Sequence, residues 1–281
     1  MIDAHLHTWD RSRSRYAWLD GAPEQLQADH SVDQGFAALT PFGVERAVLV
    51  QADETLAETA YLLELVAADP RLAGAVVYLP LEDPETVATQ LATLSEDPGF
   101  VGVRNLTHDR PDPDWVLGAE QRRSIELIEA AGVPLDYVAV LPRHLENLGT
   151  LAREHAGLTF VLDHLGTPPV GLPDGDWSRW QDQLTEVAAL PNVVAKVSGI
   201  YRRDVAEAAV TPEQMEAVLG AALGAFGADR LLLGSDWPVS TIFSGADATM
   251  RALVDAVAAL PVAQAQALRS ATATRIYGLS E

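Results

Sequence analysis

The 281-residue sequence contains no cysteine, which excludes disulfide bonds, thiolate metal sites and a cysteine nucleophile. It also contains no apolar run near the roughly 18 residues that a membrane span requires. No basic stretch followed by an apolar one opens the chain, so we expect no signal peptide and a cytoplasmic protein. Lysine is nearly absent too, because Lys196 is the single lysine among 19 basic residues.

The charge balance narrows the class of protein further. The net charge of -21 would repel phosphate backbones and anionic membrane surfaces, so we expect neither a nucleic-acid nor a membrane partner. Hydrophobic residues make up 48% of the chain and charged residues 21%, which is enough for a sizeable core. This length suits a single α/β barrel domain over residues 1–281, and it leaves the oligomeric state open.

Short apolar runs alternate with longer amphipathic segments along the whole chain. The runs are rich in Val, Leu and Ile and nearly continuous in apolar character, which is typical of parallel strands covered on both faces. The predicted strands span residues 2–7, 46–51, 73–79, 100–104, 134–140, 158–164, 193–199 and 230–236. The predicted helices between them span residues 54–68, 84–94, 119–132, 211–227 and 246–260.

Eight strands that alternate with helices predict a (β/α)₈ TIM barrel. A doubly wound open sheet is the main alternative, but no glycine-rich phosphate loop follows the first strand. Residues 8–33 form an unusually long first βα loop, and we expect a distorted barrel for this reason. The loop carries Trp18, which either contacts substrate or holds the loop in place.

The first strand ends in His5-Leu6-His7. Side chains alternate across a strand, so His5 and His7 face the same side. Active sites of such barrels lie at the C-terminal ends of the strands. We therefore predict that both histidines point into the mouth of the barrel, although a lone buried histidine is more often a hydrogen-bonded core residue.

Polar residues also end several other predicted strands. They are Gln51 on the second strand, Arg104 and Asn105 on the fourth, His164 on the sixth, Lys196 on the seventh, and Asp236 followed by Trp237 on the eighth. Purely structural roles are the alternatives: Asp236 could cap a helix, and Arg104 could pair with a buried carboxylate. Asp163 should point away from His164 and make a structural hydrogen bond. The other histidines are predicted to lie in loops or on helix surfaces; they are His30, His108, His144 and His155. Only His108 among them could line a site.

Longer motifs resemble the amidohydrolase superfamily, and more closely its amidohydrolase-related lactonases, which include sugar-acid lactonases and 2-pyrone-4,6-dicarboxylate lactonase. The matching segments are DAHLHTWD, YAWL, VLVQA, GFVGVRN, FVLDHLG, PNVVAKVSG, FGADRLLLGSDWPVS and ATRIYGL. One departure is Asn105, where close relatives often have histidine. The resemblance implies a hydrolase that opens a small-molecule lactone.

These residues suit that chemistry. Asp236 is the natural general base for water, and His5, His7 and His164 with Lys196 or Arg104 can stabilise an oxyanion. A metal route is also open, in which His5, His7, His164 and Asp236 hold one divalent ion such as Zn²⁺. The resemblance implies that no metal is required.

The number of cationic side chains near the strand ends indicates whether the substrate is neutral or anionic. Two carboxylates on a pyrone would need several arginines, whereas Arg104 and Lys196 are the cations placed there, with Arg143, Arg202 and Arg203 as loop candidates. Groups suited to a neutral polyol are more numerous: Trp9, Trp18, Tyr16, Gln51, Asn105 and Trp237. We therefore expect a sugar-acid lactone. The alternatives are a pyrone dicarboxylate lactonase, a metal-dependent decarboxylase, and a barrel that binds a ligand without turnover.

Overall fold

The computed structural model describes residues 1–205, 208–243 and 245–280. Eight parallel strands follow one another in sequence order around a nearly closed barrel. Their bounds are β1 Ile2–Leu6, β2 Arg46–Val50, β3 Leu72–Tyr78, β4 Phe100–Asn105, β5 Leu135–Val138, β6 Phe160–Asp163, β7 Val193–Val197 and β8 Leu231–Leu233. The predicted (β/α)₈ barrel is confirmed.

The continuous apolar character of the strands has a direct structural cause. In β2, Val48 and Val50 belong to the cluster that fills the barrel interior. The alternate residues Ala47 and Leu49 belong to the outer cluster, which packs against the helices. Both faces of each strand are therefore buried, and an apolar residue is favoured at every position.

Helices cover the outside of the barrel. Their bounds are α1 Glu24–Gln27, α2 Val32–Leu39, α3 Leu56–Ala68, α4 Pro84–Leu94, α5 Ala119–Ala131, α6 Pro142–Glu154, α7 Asp174–Ala188, α8 Pro212–Phe226, α9 Ala246–Ala258, α10 Val262–Gln266 and α11 Thr272–Tyr277, with a π-helix at Ala267–Ala271. Short 3-10 helices lie at Ala17–Gly21, Thr40–Phe42, Thr107–Asp109, Trp115–Leu117, His164–Gly166, Ala228–Arg230 and Val239–Ile242.

The five predicted helices are present, and their N-caps explain where they begin. Thr55, Asp83 and Thr211 each accept a hydrogen bond from a backbone amide in the first turn of α3, α4 and α8. Helices α1, α2, α6, α7, α10 and α11 were not predicted. Helix α6 does bury one apolar face, through residues that include Leu145, Leu148 and Leu151.

The long first loop is an ordered part of the fold. Trp9, Tyr16, Leu19 and Leu26 form a small buried cluster with Ala52 from the loop after β2. The indole nitrogen of Trp9 donates a hydrogen bond to the carbonyl oxygen of Ala28 at 2.8 Å. The loop therefore lies over one side of the barrel mouth.

Hydrogen bonds close the barrel between β1 and the segment after β8. The amide of Asp236 donates to the carbonyl oxygen of His5 at 2.9 Å, and the amide of His7 donates to that of Trp237 at 2.8 Å. Gly234 permits this approach, because a Cβ at its position would lie 2.6 Å from the Cβ of His5. In the described residues, no helix is long and apolar enough to cross a membrane.

Candidate active site

The structure brings four of the predicted site residues together at the mouth of the barrel. The Nε2 atoms of His5 and His7 lie 3.1 Å apart. Oδ1 of Asp236 lies 3.4 Å from Nε2 of His7, 3.6 Å from that of His5 and 3.9 Å from that of His164. A single carboxylate oxygen thus faces three imidazole rings contributed by the ends of β1 and β6.

The backbone turns sharply where these side chains enter the site. His164 has φ 54° and Asp236 has φ 56°, and both values lie in the left-handed region that favours glycine. Such positions cost of order 1–3 kcal/mol each and occur mostly where function requires them. Gly199 makes room for the His164 ring, since a Cβ on it would collide with Nδ1 of that ring.

The electrostatics of the site keep Asp236 ionised. Burial alone would raise the pKa of this carboxyl, but His164, His7 and His5 outweigh burial and hold its pKa well below the usual range. Burial lowers the pKa of His164 and of His5. The site therefore combines a carboxylate with neutral His5 and His164 rings near neutral pH.

Hydrogen bonds orient two of the rings. Nδ1 of His7 donates to the carbonyl oxygen of Val50 at 2.8 Å, which leaves Nε2 of the neutral ring as an acceptor, with Nε2 of His5 3.1 Å away. Nδ1 of His164 lies 2.9 Å from Oγ of Ser198 on the neighbouring strand end.

Lys196 lies below the mouth and does not face it. Its side chain is 0% exposed. Its ammonium pairs with Asp136 and lies 3.1 Å both from Oδ1 of Asp163 and from Nδ1 of His5. The prediction that Lys196 contacts substrate does not agree with this position, because strand residues on one face are about 6.6 Å apart and Ser198 occupies the layer at the mouth.

The buried charges around Lys196 reach the bottom of the barrel. Tyr277 of α11 donates from its hydroxyl to Asp136, with Oδ1 at 2.9 Å and Oδ2 at 3.0 Å. Burial raises the pKa of Asp136 to about 6. Burial would raise the pKa of Asp163 too, but Lys196, His5 and Arg104 hold it well below the usual range.

Arg104 has both of the roles considered for it from the sequence: it pairs with a buried carboxylate, and it faces the barrel mouth. Its Nε donates to Oδ2 of Asp163 at 2.7 Å, and its Nη1 donates at 3.0 Å to both the backbone oxygen and Oε1 of Gln51. Its side chain also lines the cavity at the barrel mouth. Gln51 is itself fully buried beneath Arg104, so it supports the arginine and does not line the cavity.

The cavity above the site has a volume of about 360 Å³. Among the site residues predicted from the sequence, His7, Arg104, His164 and Asp236 contribute polar groups to its wall. Its apolar wall includes Trp18, Leu106, Val138, Ile242 and Phe243. Trp18 is held in this wall by a hydrogen bond of 2.7 Å from its indole nitrogen to the carbonyl oxygen of Ala52. Nδ1 of His5 faces the buried charges below, which places His5 at the floor.

Asn105 and Trp237 were predicted to bind substrate, but they do not line this cavity. The amide nitrogen of Asn105 donates to the carbonyl oxygen of Leu79 at 2.9 Å, away from the mouth. The ring of Trp237 packs edge to face on His30, with centroids 5.3 Å apart. Asn105 directly follows the inward-pointing Arg104 within β4, and side chains of successive residues point to opposite faces of a strand.

Several cavity residues had no role in the sequence analysis. Tyr201 and Phe243 line the cavity from the loops after β7 and β8. Arg203 and His108, which the sequence analysis did name as candidates, line it too. Burial lowers the pKa of His108 to about 4. A strand-end rule cannot find Tyr201 or Phe243, because loops bring them in from beyond the strand ends.

Two histidines assigned to loops or helix surfaces are buried instead. His144 is 1% exposed, and its Nδ1 accepts a hydrogen bond from the amide of Val140 at 3.3 Å. Nδ1 of His155 lies 3.0 Å from Oε2 of Glu129. Each ring satisfies local polar groups outside the site.

The donor atoms at the mouth fit one divalent metal ion. Four ligands about 2.0–2.1 Å from a tetrahedral zinc ion lie roughly 3.3 Å from one another. The facing atoms of His5, His7 and Asp236 lie 3.1 to 3.6 Å apart and form a candidate set of three ligands. Nε2 of His164 lies 3.9 Å from Oδ1 of Asp236 and would supply the fourth ligand. The hydrogen bond from Nδ1 of His7 to Val50 also leaves Nε2 free to bind a metal.

Comparison with known proteins places the chain in a family. The amidohydrolase family model matches residues 2–279, so the chain belongs to the amidohydrolase family. Two relatives are named L-fucono-1,5-lactonase. One, from Burkholderia ambifaria, is 33% identical over 243 residues, which cover 86% of this chain and 81% of that protein. The other, from Burkholderia multivorans, is 33% identical over 294 residues and covers 100% of this chain and 96% of its own length.

Solved structures agree with this placement. An amidohydrolase from Burkholderia multivorans with bound HEPES superposes with a TM-score of 0.89 at 30% identity, over 99% of both chains. A second structure of an amidohydrolase from that organism, with bound zinc, has a TM-score of 0.87 and the same identity and coverage.

Proposed function

We propose that this protein is a lactonase that hydrolyses a sugar-acid lactone with Asp236 as general base. The observation that carries the proposal is the single carboxylate oxygen that faces three imidazoles at the floor of a cavity of about 360 Å³. The two relatives named L-fucono-1,5-lactonase support the choice of a sugar lactone.

The reaction uses groups already held in place. Asp236 accepts a proton from the attacking water as its oxygen bonds to the lactone carbonyl carbon. The ring C–O bond then breaks, and the ring oxygen takes that proton as it becomes the hydroxyl of the open acid. His164 and Arg104 line the cavity and can donate hydrogen bonds to the carbonyl oxygen as negative charge develops on it.

Arg104 is suited to this role by its fixed geometry. Two of its guanidinium nitrogens are engaged with Asp163 and Gln51, and within the described part of the chain Nη2 makes no hydrogen bond. A donor that is already oriented loses little conformational entropy when it binds the substrate. We assign substrate binding to Arg104 and positioning of Arg104 to Gln51.

The same four donors would hold a divalent ion if one is bound: His5, His7, His164 and Asp236. Such an ion would lower the pKa of a water molecule and polarise the lactone carbonyl. We propose, as the sequence resemblance implies, that turnover does not require it.

The apolar wall of the cavity suits a sugar lactone with an apolar face or a methyl terminus. Trp18, Tyr201 and Phe243 are aromatic side chains that line the cavity, and aromatic faces bind the C–H surfaces of sugar rings. A lactone that carries a carboxylate is the second candidate. Arg203 favours it, because this cavity-lining arginine pairs with no carboxylate among the described residues.

A substrate panel tests the proposal. Acid release from L-fucono-1,5-lactone, other aldonolactones and 2-pyrone-4,6-dicarboxylate is followed with a pH indicator, and carbon dioxide release from dihydroxybenzoates is measured in parallel. We expect the highest kcat/KM for an aldonolactone. Preferred hydrolysis of the pyrone would replace the substrate class, and decarboxylation without lactone hydrolysis would overturn the proposed reaction.

A further inference from the structure

Tyr201 makes a contact with Asp236 that the reaction scheme above does not use. Tyr201 lies in the loop between β7 and α8, and its hydroxyl donates a hydrogen bond of 2.6 Å to Oδ2 of Asp236. Its side chain lines the cavity at the barrel mouth. The two oxygens of Asp236 thus have separate partners, because Oδ1 faces the histidines.

The ring of Tyr201 is held from its other side by Phe243. The two rings are stacked, with centroids 3.8 Å apart and planes 10° apart. Phe243 comes from the loop between β8 and α9, so the stack joins the loops that follow two adjacent strands. The hydroxyl therefore has a fixed position relative to Asp236.

The backbone of Asp236 is fixed as well, which leaves the two side-chain torsions, χ1 and χ2, to orient the base. Its amide donates to the carbonyl oxygen of His5 at 2.9 Å, and its φ of 56° is a restricted conformation. The terminal torsion of an aspartate is broad and roughly two-fold, so the backbone alone does not orient the carboxylate plane. The bond from Tyr201 supplies that orientation.

We propose that Tyr201 is a positioning residue for Asp236, and that Phe243 holds the Tyr201 ring in place by stacking on it. By engaging Oδ2, the hydroxyl keeps Oδ1 directed at the histidines and available to the attacking water. The inference deepens the proposed function and rests on it for its kinetic test. It holds whether Asp236 acts directly on water or also binds a metal, because both roles need the carboxylate in one orientation.

Two hypotheses about the role of Tyr201 predict different kinetic effects when its hydroxyl is removed. If Tyr201 positions the base, loss of its hydroxyl slows the chemical step and lowers kcat while KM stays unchanged. If Tyr201 instead binds substrate through its hydroxyl, KM rises and kcat is largely retained.

The kinetic test compares Tyr201→Phe with Tyr137→Phe on the best aldonolactone. Tyr137 is a matched control, because it is buried and its hydroxyl has no hydrogen-bond partner in the described ranges. We expect Tyr201→Phe to lose roughly 10- to 100-fold in kcat with KM within about twofold, the usual effect of removing a supporting hydrogen bond at a reactive centre. Tyr137→Phe should keep the wild-type kcat. A kcat of Tyr201→Phe within twofold of the wild-type value, or a change confined to KM, would overturn the inference.

A second variant and a crystal structure complete the test. Phe243→Leu keeps the hydroxyl but removes the stacked ring, and we expect a smaller loss in kcat in the same direction; it replaces Tyr201→Phe if that variant does not fold. If wild-type protein hydrolyses no lactone, the proposed function fails, and the crystal structures of wild type and Tyr201→Phe decide the inference separately. A rotated Asp236 carboxylate in the variant would support the inference, and an unchanged one would contradict it.

Discussion

Oδ1 of Asp236 lies 3.4 Å from Nε2 of His7, so the carboxylate that follows β8 meets the imidazole that follows β1 where the barrel closes. This contact sets the first prediction. Asp236→Asn should fold normally and lose about 10²- to 10⁴-fold in kcat, because an amide cannot accept the proton of water. Lactones hydrolyse slowly in buffer alone, so the variant rate is measured against a protein-free blank. A turnover close to the wild-type value would remove Asp236 from its role as base.

The second prediction concerns metal removal. Wild-type protein treated with a chelator and then dialysed should keep its lactonase activity, because a lactone is an electrophilic ester and the site carries its own hydrogen-bond donors. Metal content by mass spectrometry accompanies each activity measurement. Activity that disappears with the metal and returns with added zinc would establish a required ion at the four donors.

The third prediction concerns the anchoring of the first loop. Oδ2 of Asp53 accepts hydrogen bonds from Oγ of Ser14 at 2.7 Å and from the amide of Tyr16 at 2.8 Å. These bonds hold the loop that carries Trp18 into the cavity wall. Asp53→Asn should raise KM roughly three- to tenfold with a smaller effect on kcat, since a charged acceptor is lost.

Asp20→Asn is the control for the loop. Asp20 lies in the same loop, but it is exposed and pairs with Arg15 and Arg11 at the surface. Its KM should match the wild-type value. Equal KM values for the two variants would show that Asp53 does not position Trp18.

The fourth prediction concerns the buried lysine. Lys196→Met would leave Asp136 and Asp163 buried without their ammonium partner. Removing one member of a buried ion pair usually costs about 3–5 kcal/mol in the free energy of unfolding. Arg122→Met is the control, because its pair with Glu154 is exposed and should contribute about 0–1 kcal/mol. Urea unfolding measures both, and similar losses for the two variants would contradict the prediction.

The fifth prediction concerns the pH dependence of stability. Burial raises the pKa of Glu58 to about 8, although the amides of Ala52 and Asp53 donate to its carboxyl group. In the unfolded chain this group has its ordinary pKa of 4.5. Between these values the folded state binds more protons than the unfolded state, so the contribution of Glu58 to stability should fall as the pH rises from about 4.5 to 8.

Glu58→Gln should therefore show a flatter stability profile over that interval. The wild-type folding equilibrium constant changes by up to about tenfold per pH unit through this group, and the variant lacks that slope. Glu24→Gln, an exposed position in α1, should keep the wild-type slope. Parallel profiles for wild type and Glu58→Gln would refute the assignment.

The sequence predicted the strands better than the helices. Strands buried on both faces leave continuous apolar runs, and each of the eight was located from them. Helices α6 and α7 were missed although each buries one apolar face, as the predicted α5 does. The apolar spacing of Leu145, Leu148 and Leu151 was a usable signal for α6.

The order of residues along the chain determined the barrel and the polar residues at its strand ends, because apolar runs, helical spacing and the alternation of side chains along a strand are local features of the sequence. Tertiary structure decided the depth and direction of each side chain. It placed Lys196 one layer below the mouth among carboxylates, turned Asn105 and Trp237 outward, and brought Tyr201 to Asp236. These outcomes depend on loops and on pairs far apart in the chain, whose contacts form only when the barrel closes.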